Sequence, residues 1–176
     1  MTSKKGIAIT AAVLAGITAA SFLAWLLPGD AVPGKATFVI TDHKAYLDDV
    51  KSIHEVLAGS VAIEFRMMLD GEIMPAEYVK SAEATSTQTA MQISEFIASK
   101  PPTEWQESYI LYGEALRSFN TYVAETQVAA SLMEDAENGG TTATKDRLNE
   151  SLERMEMLWA ESAEYVKRSD AARPGQ

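Results

Sequence analysis

Apolar residues recur at alternating spacings of four and three along two stretches of the chain, and that spacing limits its fold more than any other feature. Trp105, Tyr109, Tyr112, Leu116, Phe119, Val123, Thr126, Ala130 and Met133 follow it without a break. Leu148, Leu152, Met155, Trp159, Ser162 and Val166 repeat it. The mean step of about 3.5 residues keeps such positions on one side of an α-helix and suits coiled-coil-like packing against other helices. A half-buried strand would need a period of two. The expected fold is therefore all-α.

Turn residues divide the rest of the chain into four helices. Thr41 or Asp42 can cap a first helix that runs to about Leu69, where Asp70-Gly71 ends it. Its apolar stripe is Leu47, Val50, Leu57, Val61 and Met68, with Ile53 and Phe65 beside it. Pro75 fits the first turn of a second helix reaching Ser99, with Tyr78, Ala82, Thr85, Thr89, Ile93 and Phe96 as its stripe. Pro101-Pro102 stop that helix, and Thr103 with Gln106 reads as a capping box for the third, which continues to Glu137. A fourth starts near Thr142 and fades around Arg168, leaving residues 169–176 as a disordered tail. Thr37-Phe38-Val39-Ile40 is strand-like but has no partner strand, so it belongs to the linker. Short loops between long helices favour antiparallel neighbours, which makes residues 42–168 an up-down-up-down four-helix bundle.

The N-terminus has a different character. Ile7 to Leu27 contains 21 residues without a charge, long enough as a helix to span a bilayer of about 30 Å. Lys4 and Lys5 precede the run and no acid occurs before Asp30, so the positive-inside rule places residues 1–6 in the cytoplasm and the bundle outside the cell membrane. Residues 28–41, with two prolines and two glycines in PGDAVPGKA, form the linker. A cleaved signal peptide is the rival reading, with cleavage before Val32. Within the run, Ala8, Ala12, Gly16, Ala20 and Ala24 recur at every fourth residue. Small residues at this spacing let helix backbones approach closely in lipid, so this row is the expected packing face toward a partner's membrane helix or a second copy. An alanine-rich anchor can also produce such a row without a partner.

Composition then narrows the chemistry. The chain has no cysteine and two histidines, His43 and His54. Disulfides, thiolate metal sites and cysteine nucleophiles are excluded. No Glu-x-x-His pair is present for a two-metal bundle site, and no Gly-rich phosphate loop or HExxH motif occurs. His43 and His54 lie on one helix face but about 16 Å apart, too far to share a metal. His54 and Glu64 fall on the flank of the first helix if its stripe rotates through Ile53 and Phe65. All 25 acids follow residue 29, against 13 bases there, so the outer part carries about −12. That sign argues against a nucleic-acid partner.

The remaining features each have a plain and a functional reading. Tyr46, Phe96, Trp105, Tyr109, Trp159 and Tyr165 gather at one end of the bundle, and Met67, Met68, Met74 and Met133 at the other. Core packing accounts for both; an apolar ligand at the first or cuprous copper at the second are the alternatives. Glu150, Glu153, Glu161 and Glu164 line one side of the fourth helix, as a solvated face or as a surface for a basic partner. Asn149-Glu150-Ser151 is a glycosylation sequon.

Together these observations point to a non-catalytic accessory subunit with no cofactor and no catalytic residues. One membrane helix would join it to a larger membrane protein complex in the bilayer, and an acidic bundle would face outward. The start KKGIAITAAVLAGITAASFLAWLLPGD, with a short linker and a helical domain after it, resembles small single-pass proteins of ammonia-oxidising archaea. The resemblance covers mainly the first 30 residues and implies an accessory role in the ammonia monooxygenase complex; it transfers no site residues. The alternatives are an extracytoplasmic bundle that binds an apolar ligand or copper, and a homo-oligomeric envelope spacer.

Overall fold

A computed structural model describes residues 40–175. They form helices α1 (His43–Leu69), α2 (Pro75–Ala98), α3 (Gln106–Glu137) and α4 (Thr142–Ala171), with a 3-10 turn at Thr103–Trp105. Among the described residues there is no strand, so this part is an all-helical bundle as expected. No helix among them is long and apolar enough to cross a membrane. The expected membrane helix at residues 7–27 and its small-residue row lie outside the described residues.

Local chemistry explains most helix ends. The Asp42 carboxylate accepts the Ala45 N–H at 2.9 Å and caps α1. Gly71, at φ 71, takes the left-handed conformation that ends it. Pro75 opens α2, and the Glu77 carboxylate accepts the Met74 N–H at 3.2 Å. The Thr103–Gln106 capping box does not form. Extended Pro102 is the cap, its carbonyl accepts the Trp105 N–H at 2.9 Å, and Thr103 is already wound into the 3-10 turn. Thr141 caps α4 through the Thr144 N–H.

Contacts at the two ends fix the helix directions. At one end His43 and Tyr46 (start of α1), Phe96 (end of α2), Tyr109 (start of α3) and Tyr165 (end of α4) share an apolar cluster. At the other, Phe65 and Met68 near the end of α1 join Tyr78 near the start of α2, Ala130 of α3 and Leu152 of α4. Successive helices therefore run in opposite directions. The expected aromatic end is present without Trp159, which lies further along α4 against Tyr122 with ring centres 5.3 Å apart. At the other end Met68 and Met133 share the core cluster and Met67 is half-buried, while Met74 is exposed.

α3 is the centre of the bundle. Every seam residue from Tyr109 to Ala130 is buried. Its contact with α4 is built from small side chains seven residues apart: Ser108 and Ala115 on one helix, Ser162 and Ser169 on the other. The helices approach so closely that hydroxyls of one reach carbonyls of the other. Ser162 donates to Ala115 O at 2.9 Å, Ser169 to Ser108 O at 2.8 Å and Ser108 to Ser169 O at 2.8 Å. Each buried hydroxyl is thereby satisfied, which removes the cost of its desolvation. Ser151, the last residue of the sequon, is buried in the same contact and donates to the Glu125 carboxylate at 2.5 Å. Asn149, the acceptor of the sequon, is exposed as its sequence suggested, while Ser151 faces the helix contact.

Residues 169–171, expected as the start of a disordered tail, are the last turn of α4. Ser169 is held in the α3 contact, Lys51 binds Asp170 at 2.8 Å, and Arg173 binds Asp48 at 2.7 Å. These pairs fasten the end of α4 to α1.

Candidate functional site

Beyond those ion pairs α1 and α4 separate, and a recess of about 230 Å³ opens between them. Lys51, His54, Glu55 and Ala58 of α1 form one wall, Tyr112 of α3 the floor, and Trp159, Ser162 and Val166 of α4 the other wall. Trp159 occupies a seam position yet remains 45% exposed, because α1 does not close over it. Leu152 and Val166 are only half-buried. The fourth-helix seam was legible in the sequence, but it carries less of the core than expected.

His54 lies in the recess, opposite to its expected place on the flank. The buried stripe of α1 is Leu47, Val50, His54, Leu57, Val61, Phe65 and Met68; it shifts to Phe65 in place of Glu64 as expected, but it takes His54 and turns Ile53 outward. The imidazole packs against the Phe119 ring with centres 4.6 Å apart. Its Nδ1 is 3.0 Å from the Tyr112 hydroxyl. Burial pulls His54 down to about 4, so it is neutral at pH 7. Burial, followed by the nearby Glu55 and Asp170 charges, raises Tyr112 well above its usual range, so its hydroxyl stays protonated. The two share a neutral hydrogen bond. Glu64 is half-buried and accepts a bond from the Ser60 hydroxyl at 3.0 Å.

A neutral histidine bonded to a neutral tyrosine orients both rings and holds no proton in reserve near pH 7. The Lys51 ammonium at the mouth is occupied by Asp170. The walls can receive a small apolar or aromatic group. A second recess of similar size lies between Phe96 and Ile97 of α2 and Tyr109 and Ile110 of α3. Among the described residues, no three His, Asp or Glu side chains come together as a metal site. His43 contributes its carbonyl, at 2.8 Å, to the Tyr109 hydroxyl.

The expected packing residues Ala8, Ala12, Gly16, Ala20 and Ala24 lie outside the described residues. Glu150, Glu153, Glu161 and Glu164 are all exposed, and Glu161 also accepts a bond from Ser118 at 3.0 Å. Sequence reasoning missed the recess itself. The signal within reach was His54, which completes the three-four spacing of α1 when the stripe is drawn strictly.

Compared with known proteins, the chain matches no family model, and neither a curated protein nor a solved structure is significantly similar to it.

Proposed function

We propose that the chain is a non-catalytic accessory subunit, held in the cell membrane by Ile7–Leu27 and presenting the acidic bundle on the outer face. The observation that carries this reading is the 21-residue run without charge, preceded by Lys4 and Lys5 and followed by about −12 of net charge. The anchor's row of Ala8, Ala12, Gly16, Ala20 and Ala24 supports docking on a helix of a larger membrane complex. The resemblance of the first 30 residues makes archaeal ammonia monooxygenase the candidate complex. Several buried polar side chains of the bundle support it as well, since they are spent on one another: Tyr78 on Thr126 at 2.6 Å, Tyr112 on His54, and Ser162 on the Ala115 carbonyl.

Purification from the source membrane in mild detergent tests the proposal. Co-migration with a larger membrane complex is the expected result. A mature chain that begins at Val32 and is released without detergent removes it.

The recess beside His54 favours a second reading, uptake of a small apolar molecule between α1 and α4. Trp159 in its wall offers the readout, as a change in fluorescence on titration with non-fluorescent cyclohexanol that is lost in Trp159→Phe.

A further inference from the structure

Helix α1 has two apolar faces. The first is the core stripe through Leu47, His54, Val61 and Met68. The second is Ile53, Val56, Ser60, Ile63 and Met67, again spaced by threes and fours. Ile53, Val56 and Ile63 on it are 46%, 61% and 63% exposed, and Ser60 and Met67 are half-buried. Between Val56 and Ile63 the sequence VLAGSVAI carries no charge on any side of the helix. A helix that is apolar all round is ordinarily covered all round, and α1 is covered on one side. The three-four spacing suits another helix as the missing cover.

The pattern of the stripe points to which helix. It reads the same from either end: Ser60 stands at the centre, β-branched Val56 and Ile63 one step out, and Ile53 and Met67 two steps out. Two copies related by a two-fold axis through Ser60 thus meet β-branched to β-branched and Ile53 to Met67. Gly59 lies beside the axis with open space where a Cβ would stand, so the backbones can close there as the serines allow between α3 and α4. Charge bears on the direction. Asp49 continues the stripe at one end and Asp70 at the other, where Arg66 lies 3.8 Å from the Asp70 carboxylate. A parallel pair sets Asp49 against Asp49 and Asp70 against Asp70, whereas an antiparallel pair sets Asp49 against the Arg66–Asp70 ion pair.

We propose that two copies of this chain associate through α1, antiparallel, with Ser60 at the two-fold axis. The stripe is about 21 Å long, a single-helix contact in the weak class of interfaces. Such a contact forms where copies are concentrated, as confinement to a membrane provides. The 27 residues of α1 span about 40 Å. Residues 28–42 reach about 50 Å when extended, so chains that enter the pair from opposite ends can start in one membrane. The pairing goes beyond the accessory reading and does not depend on what the anchor docks against.

Because the chain has no cysteine, one introduced thiol reports its own neighbour. The full-length chain, in its source membrane under mild oxidation, is compared across single variants. Ser60→Cys gives a disulfide-linked dimer at several-fold the level of Glu150→Cys on the exposed face of α4. Ile53→Cys and Met67→Cys link to each other when co-expressed and several-fold less when expressed alone. Ile63→Asp added to Ser60→Cys abolishes the dimer while the helical signal is retained. Linking at Ser60→Cys no greater than at Glu150→Cys overturns the proposal. So does Ile53→Cys linking to itself as well as to Met67→Cys, the sign of a parallel pair, or capture of a different protein in place of a second copy. None of these results touches the anchor, whose own failure shows as release without detergent.

Discussion

The contact between α3 and α4 and the surroundings of α1 show two ways of using an apolar helix in one molecule. α3 and α4 meet through Ser108, Ala115, Ser162 and Ser169, and their backbones approach until hydroxyls bond across the interface. α1 buries Leu47, Val50, Leu57, Val61 and Phe65 on its core face and leaves Ile53, Val56 and Ile63 exposed on its outer face. One side borders the recess at His54 and the other holds the exposed stripe. Small residues at seven-residue spacing complete an interface within the chain. Large residues at the same spacing, left outward, describe an interface the chain does not complete by itself.

Substitutions separate the two regions, and the largest effect belongs to the centre of the bundle. Phe119→Ala empties a fully buried site on α3 and is expected to cost about 3–5 kcal/mol in chemical denaturation. A loss under about 1 kcal/mol would mean that α3 is no better packed than α1.

Next comes pH, which probes the α1 side through His54. Its folded-state value of about 4 lies below the ordinary 6.5, so the unfolded chain binds the extra proton first. Stability from this group is fully present above pH 6.5 and is lost as pH falls from 6.5 toward 4, on the order of 3 kcal/mol in all. His54→Leu flattens that part of the profile. An unchanged slope in His54→Leu would assign the acid sensitivity elsewhere.

Ser162→Leu tests the close α3–α4 approach by forcing bulk against Ala115, with an expected loss of about 1–3 kcal/mol and a lower midpoint in thermal unfolding followed by circular dichroism. A neutral result would show that the helices have room to part. The smallest effect is on the outer stripe, where Ile63→Asp should change the stability of a single chain by no more than about 0.5 kcal/mol. A larger loss would mean that Ile63 is covered within the chain, and the distinction between the regions would fail.

The pattern of side chains made much of this legible. The three-four spacing along α3 marked its core from Tyr109 to Ala130, and Asp42, Gly71 and Pro75 marked helix ends through local chemistry that acts over a few residues. What sequence reasoning misplaced depends on distances between helices. Nothing local to α4 shows that Trp159 is left open, because that follows from where α1 stops approaching. Ser108, Ser151 and Ser169 look like surface polar residues until the facing carbonyls are seen. The end of α4 looked like tail because its ties, Lys51 to Asp170 and Arg173 to Asp48, cross more than 100 residues of sequence. His54 looked like a flank residue because Ile53 seemed the better core side chain; burial followed the spacing instead of the hydrophobicity.

We propose that this protein holds position in a membrane assembly. Native mass spectrometry of the full-length chain, extracted from its source membrane in mild detergent, tests that claim most directly. The expected result is a chain that retains Ile7–Leu27 within a larger membrane complex. A chain that begins at Val32 and flies alone as a monomer would contradict it.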